Sequence, residues 1–184
     1  MRNDHVPGAA PDAGDEGAAE ALVLTGGLGS GKTTLAIAVG ESLGDVPHAV
    51  IDLDWLCWCA GADVREMLTA NLRAVASAYA AAGIRRLVLA RALLEPSHLD
   101  AVRRALPGAA ITVVRLAVSP DTARERLRAR DRGATLDGHL AELEAFQHAV
   151  EHADLEHAVV HNDARPVDEV AREILGLWTT LPAP

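Results

Sequence analysis

The sequence predicts an α/β chain, with a parallel sheet of about five strands and helices on both of its faces. Three observations lead there. Short apolar runs alternate with segments of helical period along the chain. The apolar runs are continuous instead of polar at every second residue, as strands buried on both faces must be. The connections carry strong helix starts and turns, such as Ser119-Pro120-Asp121 and Pro107-Gly108.

In chain order, residues 1–20 are rich in Gly, Ala, Pro and Asp, show no apolar period and read as a flexible tail. Residues 21–184 read as one domain. Residues 21–25 are the first strand. A glycine-rich turn follows, then a helix from about 32 to 43 that Gly44 stops. Residues 48–53 are the second strand, and 64–82 an Ala-rich helix ended by Gly83. A third strand lies within 86–94, a helix covers 96–106, and the fourth strand is 111–118. Ser119 is an N-cap and Pro120 a first helical residue; that helix carries an arginine-dense stretch to Arg132. After Gly133, a candidate hinge for a short lid near 124–138, Leu136, Leu140, Leu143, Phe146 and Val150 recur with helical spacing. Residues 157–161 are the last strand, and Val167, Val170, Ala171, Ile174, Leu175 and Trp178 mark one face of a final helix.

Composition narrows the function. With 184 residues, 49% of them apolar, the chain is globular and long enough for one buried core. No apolar run approaches the roughly 18–20 residues of a membrane span. The first residues lack the layout of a signal peptide. The only cysteines, Cys57 and Cys59, are too close for an easy disulfide. A soluble, cytoplasmic protein without a membrane partner is expected. The net charge of −9 argues against a nucleic-acid partner, which needs a basic face. Every basic residue except Lys32 is arginine. Such a chain keeps its lysine where the chemistry wants a compact ammonium.

That lysine closes the sequence Gly26-Gly27-Leu28-Gly29-Ser30-Gly31-Lys32-Thr33, which fits G-x-x-x-x-G-K-[ST] between a strand and a helix. In this motif glycines turn successive N–H groups inward, and the helix start adds positive potential, so the loop holds phosphates. Lys32 is expected on the β and γ phosphates and Thr33 on Mg²⁺, with Gly26, Gly27, Gly29, Ser30, Gly31 and Thr34 completing the nucleotide contacts. This is the three-layer P-loop nucleotide-hydrolase architecture, with ATP and Mg²⁺ as the expected cofactors.

The second strand ends in Ile51-Asp52-Leu53-Asp54. On an extended chain the two aspartates point the same way. Beside a phosphate site they would repel unless a cation or a substrate hydroxyl shared them. One suits Mg²⁺ through water and the other the proton of an attacking hydroxyl. The alternative is a strand end with an Asp N-cap.

With the phosphate loop, Asp-x-Asp after strand two and the arginine-rich helix after strand four, the chain resembles the shikimate, gluconate and adenylylsulfate kinase group over about residues 21–178. That group has the nucleoside-monophosphate-kinase-like fold. The resemblance implies that Asp52 lies on the metal side and Asp54 meets the acceptor hydroxyl as base. It implies that Arg126 packs on adenine and Arg130, one turn later, touches the transferring phosphates. It also implies an adenine pocket at Asn162-Asp163-Ala164-Arg165-Pro166, with Pro166 over the ring. Arg124 and Arg128 read better as solvated charge.

The third strand ends in Arg91 where an acid is common. Arg91 either binds an anionic part of the acceptor or pairs with Asp52 or Asp54. Trp55, Cys57, Trp58 and Cys59 either line an acceptor pocket for an apolar or ring-bearing substrate, or Trp58 and the cysteines are core. His148 and His152 share a helix face without a third ligand. The reading is an ATP-dependent kinase acting on a hydroxyl of a small molecule, with Lys32, Asp54 and Arg130 catalytic. The alternatives are an ATP-binding regulatory or degenerate module and a nucleotide hydrolase.

Overall fold

In the computed structural model, which describes residues 19–181, five parallel strands form one sheet in the order β2-β3-β1-β4-β5. They are β1 (Glu20–Gly26), β2 (His48–Asp52), β3 (Arg86–Ala90), β4 (Ala110–Ala117) and β5 (Ala158–His161). The helices are α1 (Lys32–Leu43), the single turn α2 (Leu53–Leu56), α3 (Val64–Ala81), α4 (Pro96–Ala105), α5 (Pro120–Arg130), α6 (Gly133–Ala153) and α7 (Val167–Thr180). Most of the segment expected as a tail, 1–18, lies outside the described residues.

Side-chain alternation explains the layers. In β1, Ala21 and Val23 enter one core while Leu22 and Leu24 enter the other. β3 repeats this with Leu87 and Leu89 against Val88 and Ala90. The first core is closed by α3 and α4 through Leu68, Leu72, Leu99 and Val102. The second is closed by α1 and α7 through Leu35, Val39, Val170 and Ile174. A smaller cluster, Val118, Ala123, Leu127 and Leu143, ties α5 to α6.

Several boundaries differ from expectation. Glu20, placed in the tail by its charge, opens β1 because its carboxylate takes Arg86 Nε at 3.1 Å. β2 stops at Asp52, since the Asp52 side chain accepts the Asp54 N–H and starts the α2 turn. The arginine helix α5 ends at Arg130, with Asp131 as its C-cap. The stretch foreseen as a lid, 124–138, is accordingly helix on both sides of a two-residue link.

The order places β1 at the centre, with chain excursions to β2 and β3 on one side and to β4 and β5 on the other. The crevice beyond the carboxyl end of β1 is therefore the switch point of the sheet, where ligands of open α/β folds sit.

Two helix glycines test the packing. A Cβ on Gly40, inside α1, would stand 2.5 Å from Val50 Cγ2 and 3.2 Å from His48 Nε2 on β2. A Cβ on Gly176, inside α7, would meet nothing within 4 Å. Gly40→Ala should therefore destabilise by about 1–3 kcal/mol despite the better helix propensity, because Val is stiff at its χ1. Gly176→Ala should stabilise by up to about 1 kcal/mol. Urea denaturation of both variants checks the pair of signs.

Candidate active site

The turn between β1 and α1 is shaped by its glycines. Gly29 and Gly31 adopt φ of 71° and 89°, a region L side chains rarely occupy. A Cβ on Gly29 would also stand 2.8 Å from the Ala123 carbonyl oxygen of α5. Gly31 is the N-cap of α1, no side chain caps that helix, and its first turn holds no acid. The leading N–H groups of a helix have no intrahelical acceptor. Together with the positive end of the helix dipole they form an anion cradle. Lys32 curls over it, with Nζ donating to the carbonyl oxygens of Gly26 and Gly27, both at 3.0 Å. Ser30 is fully buried, and its carbonyl oxygen accepts from Asn162 Nδ2 at 2.8 Å. Thr34 is exposed and lines the adjoining cavity.

Burial in the loop pushes the Lys32 ammonium down to a pKa of about 8, opposed by the charges of Asp54 and Asp52 and reinforced by Arg130. Asp52, Asp54 and Arg130 thus all act on the Lys32 ammonium. Thr33 Oγ1 donates to Asp52 Oδ2 at 2.8 Å. This pair of hard oxygens beside the cradle suits a magnesium ion. Asp54 Oδ1 accepts from Arg91 Nη1 at 2.9 Å, with the Asp54 side chain 66% exposed and the Arg91 side chain 10% exposed. Of the two readings of Arg91, the structure gives the pairing with Asp54; Arg91 Nη1 also donates to Cys57 Sγ at 3.0 Å.

The extended-strand picture of the two aspartates is corrected, because α2 begins between them. The N-cap reading holds: Asp52 caps α2 with Oδ1, and its Oδ2 accepts from Thr33 Oγ1. The core reading of Trp58 is also corrected. Trp55 and Trp58 are 70% and 78% exposed, with ring centroids 5.0 Å apart. Cys57 is buried and Cys59 exposed.

On the other side of Lys32 a cavity of about 280 Å³ is lined by Gly29, Gly31, Thr34, Arg126, Arg130 and Asn162, among others. Arg126 Nη2 donates to Asn162 O at 2.6 Å and Nη1 to Gly29 O at 3.3 Å, so this arginine braces the loop as well as lining the cavity. Pro166 is the N-cap of α7, and its neighbours Arg165 and Val167 line the cavity where Pro166 was expected to. Arg124 is held by Asp121 and Glu144, as a solvated-charge reading requires. His148 and His152 stack at 4.1 Å, and among the described residues no group of three His, Cys, Asp or Glu is placed to hold a metal.

Residue-type reasoning missed the Asn162 side chain. It is 4% exposed and crosses 132 residues of sequence to the phosphate loop. The available signal was a polar amide directly at the carboxyl end of a strand. Among the described residues no helix is long and apolar enough to cross a membrane.

A family model described as chloramphenicol phosphotransferase-like protein matches residues 45–179. The match begins after the phosphate loop, so loop and family point to phosphoryl transfer independently. No curated protein matches the chain by sequence. Among solved structures, a tunicamycin resistance protein from Deinococcus radiodurans superposes with TM-score 0.64 at 16% identity, covering 90% of this chain and 99% of that one. An unliganded sugar kinase from Janibacter sp. gives 0.62 at 20% identity, covering 88% and 94%. A gluconokinase from Sinorhizobium meliloti gives 0.60 at 22%, covering 87% and 91%. At these identities the likeness establishes the shared fold.

The shifted Lys32 gives a pH test. The folded chain releases this proton near pH 8, the unfolded chain near 10.5. Between those values the unfolded state binds more protons, so the Lys32 contribution to stability rises with pH; below about 8 the burial of the ammonium is felt in full. Lys32→Met should therefore be more stable than the parent at pH 7, by a margin that shrinks from pH 8 to 10.5. Paired melting curves across that range check it, and a margin independent of pH would reject the shift.

Proposed function

The chain belongs to the chloramphenicol phosphotransferase-like family, and from that premise we propose that the crevice transfers the γ-phosphoryl group of ATP, with Mg²⁺, to a hydroxyl of a small, ring-bearing acceptor. The observation that carries this is the uncapped start of α1, closed by the single lysine and flanked by Asp52 and Asp54.

The N–H groups of the loop and Lys32 hold the β and γ phosphates. The cavity lined by Arg126 and Asn162 takes the nucleoside, with the guanidinium plane beside the base. Thr33 and Asp52 would hold Mg²⁺, which supplies charge neutralisation on the phosphate oxygens. Arg91 engages Oδ1 of Asp54 and leaves Oδ2 to meet the acceptor. The Asp54 carboxylate takes the proton of the acceptor hydroxyl as its oxygen forms a bond to the γ phosphorus. The bond from that phosphorus to the β–γ bridging oxygen breaks, and ADP leaves. Arg130 meets charge developing on the transferred group.

Trp55 and Trp58 follow Asp54 directly, and their exposed rings suit a flat acceptor better than a core. The family description makes chloramphenicol the first acceptor to assay, followed by a panel of hydroxylated antibiotics, sugars and nucleosides with labelled ATP.

The two halves of the site should separate by mutation. Lys32→Ala should lose nucleotide affinity. Asp54→Asn should keep nucleotide affinity within about twofold while transfer falls of order 10²-fold, as for a lost general base. Trp55→Ala and Trp58→Ala should each raise the acceptor KM by about 2–10-fold at unchanged ATP KM. Transfer by Asp54→Asn at the parent rate would reject the base. Tight ATP binding with no acceptor in the panel phosphorylated would favour a regulatory module.

A further inference from the structure

The link between α5 and α6 is two residues long, and both are tied down. Arg132 Nη1 donates to the carbonyl oxygens of Arg128 at 2.8 Å, Ala129 at 3.2 Å and Asp131 at 2.6 Å, closing the carboxyl end of α5. The Asp131 N–H returns to Leu127 O at 2.8 Å. The Asp131 side chain, 9% exposed, accepts from Arg130 Nε at 2.7 Å and from Arg130 Nη2 at 3.1 Å. Its Oδ2 also lies 2.7 Å from His139 Nδ1 on α6.

A guanidinium has two hydrogen-bonding forks. Asp131 occupies the side fork, Nε with Nη2. The end fork, Nη1 with the second proton of Nη2, points away from the carboxylate. Arg130 lines the nucleotide cavity and stands near enough to Lys32 to push its ammonium toward the neutral form.

We propose that Asp131 and His139 are positioning residues for Arg130. His139 fixes the carboxylate, the carboxylate clamps the side fork, and the end fork is presented to the γ-phosphate. The proposal rests on the reading of Arg130 as a phosphate ligand. The physical gain is preorganisation. An arginine 61% exposed and unclamped would lose much rotamer freedom on reaching a phosphate. Clamped at Nε, it keeps three N–H donors for bidentate contact. The clamp holds at any working pH, because hydrogen bonds from Arg130 and then His139 hold the Asp131 carboxyl down to about 2. His139 donates from Nδ1 whether neutral in that tautomer or charged.

The test is calorimetric binding of Mg-ADP and of Mg-AMPPNP, an ATP analogue with an intact γ-phosphate, to the full chain. Arg130→Ala should weaken AMPPNP about tenfold and ADP by less than about twofold, since a charge-assisted pair to one phosphate is lost. Asp131→Asn and His139→Ala should each weaken AMPPNP by about three- to tenfold, again sparing ADP. His139→Asn, which keeps an N–H donor near the Nδ1 position, should restore most of the loss. In the Arg130→Ala background, Asp131→Asn should add nothing. ADP binding reports folding; were Asp131→Asn not to fold, the two His139 variants carry the comparison.

If Arg130→Ala weakens AMPPNP while Asp131→Asn and His139→Ala do not, the positioning role is overturned and Arg130 stands alone. Additive losses, or equal losses for ADP and AMPPNP, overturn it too and make Asp131 a helix brace. An unchanged AMPPNP-to-ADP ratio in Arg130→Ala rejects the phosphate role of Arg130, and the positioning role falls with it.

Discussion

A helix that begins without a cap leaves a row of N–H groups facing into the crevice, and most of this site is arranged around that row. The start of α1 is held in the open by Gly31 in the left-handed region, where a capping serine or aspartate would have closed it. Lys32 folds back on the loop and donates to the carbonyl oxygens of Gly26 and Gly27. The result is a concave patch of donors without an internal acceptor, which an anion of matching shape completes.

Holding that patch open needs support from distant sequence. α5 presses on Gly29 through Ala123, and Arg126 grips the loop from 97 residues away. Asn162 holds the Ser30 carbonyl at the carboxyl end of β5, and Gln147 of α6 lies against Gly27. Asp163 accepts from both the amide and the hydroxyl of Ser119, so the β5 loop also fixes the start of α5. The parallel sheet makes this economical, because every strand ends at the same edge. Residues far apart in the chain become neighbours around one turn without long loops.

The parts legible in the sequence were those governed by local rules. Strand runs, helix stops and the phosphate loop depend on period, glycine and proline, and every element except the α2 turn lies within a few residues of its expected place. The positions of Lys32, Thr33 and Asp52 followed from motif and strand end. Less legible were features set by competition between a side chain and the backbone. Asp52 ended its strand because its carboxylate caps the next turn, which no apolar pattern encodes. The exposure of Trp55 and Trp58 could not be read from residue type, since large aromatics are usually buried. Arg91 and Asn162 were ambiguous until the sheet showed what stood opposite them. In the sequence the arginine stretch of α5 divides into Arg126 and Arg130 for the nucleotide and Arg124 and Arg128 as solvated charge, but the partners came only with the fold, which sends Arg126 to Gly29, Arg124 to Glu144 and Arg130 to Asp131.

The cation at the end of β3 changes the electrostatics of the acceptor side. An acid at Arg91 would make a third carboxylate beside Asp52 and Asp54, at a crevice that must admit a polyanionic nucleotide. Each added negative charge would raise the repulsion in a partly desolvated place, where screening is weak. With arginine there, one carboxylate is offset by a buried guanidinium and the other accepts from Thr33. The same pairing anchors Asp54, whose side chain is mostly exposed and whose chain neighbour Trp55 is exposed too. A carboxylate so held has little freedom to turn toward Thr33, so the two aspartates keep separate partners, Thr33 for Asp52 and Arg91 for Asp54. Separate partners let the surroundings of Asp54 vary in shape without disturbing the contact between Asp52 and the phosphate loop, which is the condition under which one fold can host many functions.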